Sequence, residues 1–176
     1  EVAELHRQAR EAGRSIQFGQ TTDLSHTAGK RKGRRVAAVW KGGWDRSTTQ
    51  DRDDPDYKFL MSTGRWQELA IPTKGTSHYI MVANVYGIPT AGSCPKGYAQ
   101  NERILAAALR RMQRYSDRPY YIGGDLNINP SESKVLTTAL DGQWAYDMEQ
   151  QWCHAGQALQ NTFSREGITP NMSGSG

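Results

Sequence analysis

The sequence predicts a mixed α/β (α+β) fold in which strands follow one another before the main helices enter. Three observations carry this. Segments with β-type patterning fall at 15–19, 35–40, 65–71 and 78–86, ahead of the strong helical patterns near 101–115 and 130–140. The segment HYIMVANVY is apolar enough to lie at the centre of a sheet. Apolar residues make up 36% of the 176 positions and Gly adds 18 more, the composition of a chain that packs a core as one domain over residues 1–176.

Val2, Leu5, Ala9 and Ala12 repeat at helical spacing, so the chain opens in a helix that Gly13 stops. Ile16 and Phe18 mark the first strand; Val36, Val39 and Trp40 mark the second. The stretch KGGWDRSTTQDRDDPD, 41–56, has the Gly, Asp and Pro punctuation of a long exposed connection. Strands at 65–71 and 78–86 are joined by the turn-like PTKGTS, and 87–98 reads as a Gly/Pro-rich loop. In the helix at 101–115, Ile104, Leu105, Ala108, Leu109 and Met112 form one apolar face while Arg110, Arg111 and Arg114 mostly face water. A strand at 119–124 follows. Asn129 as N-cap, Pro130 at N1 and Glu132 at N3 then open a helix carrying Val135, Leu136, Ala139 and Leu140, closed by Gly142. Residues 161–164 are a further strand candidate.

Composition excludes several classes. No run of about 18 apolar residues exists, and Glu1 opens a charged segment, so neither a membrane span nor a signal peptide is expected and the compartment is intracellular, the nucleus included. Cys94 and Cys153 lack CxxC spacing and read as ordinary thiols. His6, His26, His78 and His154 form no pair with metal-ligand spacing. The net charge of +4 is mild, but Lys30, Arg31, Lys32, Arg34 and Arg35 cluster within six positions. Such a run either guards a sheet edge or contacts a phosphate backbone.

The segment YIGGDLNINP carries the strongest chemical signal: an apolar strand, two glycines, then Asp125 and Asn127 two residues apart at the strand's carboxyl end. Mixed sheets place ligand sites there. A carboxylate beside a carboxamide can serve as general base or metal ligand next to a hydrogen-bond donor, and the same residues also make turns.

Together with MVANVYGIP upstream and, more weakly, Asn161-Thr162-Phe163, this segment resembles the endonuclease/exonuclease/phosphatase superfamily. The resemblance implies a DNase-I-like mixed β-sheet sandwich flanked by helices, incomplete at both ends. It implies Mg²⁺-dependent attack of water on a phosphoester, with Mn²⁺ an alternative ion. Asp125 would orient or deprotonate the water and hold the metal, Asn127 would donate to a phosphate oxygen, and Tyr86 would hold another; Asn84 reads as structural. Lys30, Arg31 and Lys32 are the candidate contacts to a nucleic acid, DNA in preference to RNA, as in endonucleases that accompany reverse transcriptases. A phosphatase of the same superfamily and a non-catalytic scaffold are the alternatives. The family's metal-binding Glu, an Asn on its first strand, an Asp on a late strand and its terminal Asp-His pair have no counterparts here, Glu1 being a poor match for the Glu. Little activity is therefore expected of this chain by itself. The oligomeric state is not legible in the sequence.

Overall fold

A computed structural model describes residues 2–18, 37–41, 53–73, 78–148 and 151. They fall into two compact units, residues 1–128 and 129–176. Among the described residues are four α-helices and five strands in two sheets, a mixed α/β arrangement as the pattern predicts. No described helix is long and apolar enough to cross a membrane.

In the first unit, α1 (Val2–Glu11) ends at Gly13, whose φ of 66° is the left-handed value that favours glycine. It leads into β1 (Arg14–Phe18), which pairs antiparallel with β2 (Ala37–Lys41). The His6 ring meets Phe18 edge-on at 5.5 Å, a packing role. The second sheet has the order β3-β4-β5. β3 (Trp66–Pro72) runs antiparallel to β4 (Tyr79–Tyr86), and β5 (Tyr120–Asp125) runs parallel to β4 on its other side. A parallel neighbour requires a crossover, which α3 (Pro95–Arg114) supplies. β4 is thus central, as its apolar sequence predicts.

Alternate residues of β4, Met81, Ala83 and Val85, are buried. Ala83 and Val85 join Trp66, Leu60 and the Ile104, Ala107 and Ala108 face of α3 in the core. Asn84, on the opposite face, donates from Nδ2 to the Ala37 carbonyl at 3.3 Å, a structural link from β4 to β2.

The 41–56 connection is not exposed throughout. Asp54 caps a helix the pattern did not reveal, α2 (Pro55–Ser62), accepting from the Asp56 and Tyr57 amides with Pro55 in the first turn. The arginines of α3 also differ from expectation, because Arg111 is fully buried. Its guanidinium makes two parallel bonds to the Glu68 carboxylate, at 2.8 and 2.9 Å, and a third to Asp54 at 2.6 Å. It also lies over the Tyr57 and Tyr115 rings. Arg114 pairs with Asp54 and Asp56, and Arg110 with Asp56 at 2.7 Å. Burial pushes the Asp54 carboxyl up, but the bonds from Arg114 and Arg111 outweigh this and hold it below the usual carboxylate range. Burial and the adjacent Glu68 carboxylate raise the Tyr120 phenol, whose hydroxyl donates to Glu68 at 2.7 Å.

α3 begins six residues before the predicted start at 101. Cys94 caps it, its Sγ accepting from the Gly97 amide at 3.2 Å, and Pro95 occupies the first turn. That amide bond holds the Cys94 thiol below its ordinary range.

In the second unit the predicted helix is split. Asn129 caps only a 3-10 turn, Pro130–Glu132. Buried Ser133 then caps α4 (Lys134–Asp141), accepting from the Leu136 amide at 3.1 Å. Gly142 follows α4 as predicted, with ordinary right-handed geometry.

Candidate functional site

The parallel register of β4 and β5 sets Tyr86 directly beside Asp125 at the carboxyl ends of both strands. Tyr86 lies on the face of β4 opposite to Val85 and is half-buried, so it is not a core aromatic; Asp125 is exposed. Beyond β5 the chain turns sharply. The Asp125 Oδ1 accepts from the Asn127 backbone amide at 3.0 Å, and Asn127 takes a φ of 52°, which Asn tolerates better than most residues. The Asn127 amide group folds back over the rim, donating from Nδ2 to the Gly87 carbonyl at 3.3 Å. Tyr86, Asp125 and Asn127 are thus brought together, with Gly87 between them.

Gly87 ties the two rims. Its amide donates to the Asp125 carbonyl at 2.7 Å, and its own carbonyl accepts from Arg65 at 2.6 Å as well as from Asn127. Arg65 also bonds the Tyr86 carbonyl at 3.2 Å, and its guanidinium lies 5.2 Å from the centre of the Tyr86 ring. The sequence pattern did not single out Arg65; the available signal was a basic residue opening the strand that pairs antiparallel with NVY. The rim therefore brings together a cation, a phenol, a carboxylate and a carboxamide, and the side chains of Arg65, Asp125 and Asn127 each bond backbone groups there.

The two glycines of the motif differ in role. Gly124 has a φ of 132°, and a Cβ there would lie 2.0 Å from the Val85 carbonyl oxygen and 2.7 Å from Asn84 Oδ1. Its missing side chain makes room for β4, not for a ligand. A Cβ at Gly123 would meet nothing within 4 Å. Gly124→Ala is accordingly expected to destabilise by roughly 1–3 kcal/mol, from strain at a glycine-only conformation. Gly123→Ala is expected to stay within about 0.5 kcal/mol of the parent in urea unfolding. Equal midpoints for the two variants would contradict this division.

Among the described residues no group of three or more His, Cys, Asp and Glu is placed to hold a metal ion. Among the described residues, Asp125 offers the carboxylate at the rim. One of its oxygens is taken by the Asn127 amide, and Oδ2 has no hydrogen-bond partner among the described residues. A single free carboxylate oxygen suits a hard cation that keeps several waters. His78 is exposed just before β4 and belongs to no such group among the described residues. Lys30, Arg31, Lys32, Arg34, Arg35, Glu1, His26, Cys153, His154 and the 161–164 strand candidate lie outside the described residues.

No family model matches the chain, and neither the curated proteins nor the solved structures compared with it yield a significant match.

Proposed function

We propose that the chain carries the phosphoester-hydrolysing rim of an endonuclease/exonuclease/phosphatase-type enzyme of DNase-I-like fold, acting on nucleic acid. The observation that supports this most is the register pairing of Tyr86 with Asp125, with Asn127 turned over the same rim. A phenol, a carboxylate and a carboxamide converge there, groups that can donate to phosphoryl oxygens and take a proton from water.

In this reading the Asn127 backbone amide fixes the Asp125 carboxylate through Oδ1, which leaves Oδ2 to accept a proton from the attacking water. Tyr86 donates its hydroxyl to a non-bridging phosphate oxygen. Asn127 spends one N–H on Gly87 and has a second for another phosphate oxygen. Arg65 holds the Tyr86 and Gly87 carbonyls, so the phenol enters the site from a fixed backbone. Where Asp125 instead holds Mg²⁺ or Mn²⁺, the ion would supply charge neutralisation at the phosphoryl oxygens and the carboxylate would orient the water without taking its proton. Lys30, Arg31 and Lys32 contact the phosphate backbone of DNA, sequence-independently.

The Asp125–Asn127 turn itself favours one competing reading, a scaffold in which these residues only shape the end of β5. Supercoiled plasmid incubated with the protein in its full reading frame separates the two. The enzyme reading expects nicking that needs Mg²⁺ and stops on adding chelator; the scaffold reading expects plasmid that stays supercoiled with or without the ion.

A further inference from the structure

α3 sends a completely buried polar side chain, Asn101, toward the two rims. Its Oδ1 accepts from the Ile88 amide at 2.8 Å, and its Nδ2 donates to the Leu126 carbonyl at 3.0 Å. Ile88 lies two residues past Tyr86, and Leu126 one residue past Asp125. One side chain on the crossover helix thus bonds both loops that carry the candidate site. Neither loop group has a strand neighbour to bond at that point, and a buried polar side chain persists only where its own groups are satisfied. The loops meet closely beneath it: a Cβ at Gly87 would stand 2.1 Å from the Leu126 carbonyl oxygen and 2.9 Å from Asn101 Oδ1.

We propose that Asn101 is a positioning residue that sets the gap between the Tyr86 rim and the Asp125 rim, and with it the alignment of the groups that act on a phosphate. The chemical half of this rests on the hydrolytic reading above; the geometric half does not. Loss of the clamp frees the Ile88 and Leu126 backbone groups, and the contacts built on Gly87, to Asp125, Asn127 and Arg65, loosen with it. A displacement of about 1 Å at reacting groups costs on the order of 10²-fold in rate. In the hydrolytic reading the loss falls on the alignment of the reacting groups, and so on kcat.

Asn101→Leu removes both bonds at similar volume. Gly87→Ala keeps Asn101 but forces the two loops apart, which covers the case in which the Leu variant does not fold. Backbone amide exchange followed by NMR is expected to speed by about tenfold or more at Gly87 and Asn127 in either variant, while the amides of α2 and β3 keep their protection. In the same proteins, plasmid nicking is expected to lose about 10²-fold in kcat with KM within roughly threefold. Unchanged exchange at Gly87 and Asn127 in a folded variant overturns the proposal, as does a loss carried by KM with kcat intact. If the parent in its full reading frame does not hydrolyse, the hydrolytic reading fails and the exchange data alone decide whether Asn101 sets the gap.

Discussion

Arg111→Met is expected to cost roughly 3–5 kcal/mol of unfolding free energy, the scale for removing one partner from a buried ion pair. The loss comes less from the missing cation than from what it leaves behind. Glu68 and Asp54, each 5% exposed, stay as buried carboxylates without the guanidinium that bridges them. Arg114 still reaches Asp54, while Glu68 loses its paired bonds from Arg111. Adding Glu68→Gln should recover part of the loss, because the amide oxygen still accepts from the Tyr120 hydroxyl and no buried charge remains there. The double variant in a urea series checks this, and an additive double variant would contradict the pairing. Acid acts on the same cluster. The folded Asp54 carboxyl lies below its unfolded value, so its contribution is present above the unfolded value near pH 4 and is lost as pH falls through the folded one.

Asp125→Asn is expected to lower phosphodiester turnover by more than about two orders of magnitude while leaving stability within about 0.5 kcal/mol. The pairing of those outcomes matters. An Asn at 125 keeps the oxygen that accepts from the Asn127 amide, so the turn survives. What it loses is the charge at Oδ2 that accepts a proton and attracts a cation. Asp125→Ala removes both, and is expected to be equally inactive and also less stable by about 1 kcal/mol. The scaffold reading expects the opposite pattern, with the Asn variant indistinguishable from the parent in every assay. Turnover and urea midpoints measured on all three proteins decide between them.

The strands written as apolar runs bounded by turn-forming residues were legible. HYIMVANVY is central and PYYIGG is its parallel neighbour, because a helical crossover returns the chain in the same direction. The same relation sets Tyr86 and Asp125 on one edge of the sheet. α2 was not legible, since eight residues show barely two turns of any period and its cap, Asp54-Pro55, sits among other turn-forming residues. The early start of α3 was hidden by a Cys cap, a residue outside the usual capping set, and by Gly97 in the first turn. Arg111 misled because adjacent arginines suggest solvent; its burial depends on Asp54 and Glu68, 57 and 43 residues away in sequence. Asn101 was invisible for the same reason, its partners lying in two separate loops. Long-range polar pairing leaves no periodic trace.

A phosphodiester bound at the rim shared by Tyr86 and Asp125 would change the amide chemical shifts there without requiring turnover. A short single-stranded DNA titrated in the presence of Mg²⁺ should move the amides of Tyr86, Gly87, Asp125 and Asn127 most, and should lose that effect in Asp125→Asn. Shifts centred elsewhere on the protein, or shifts at these four amides that persist unchanged in the Asp125→Asn variant, would contradict binding at this rim.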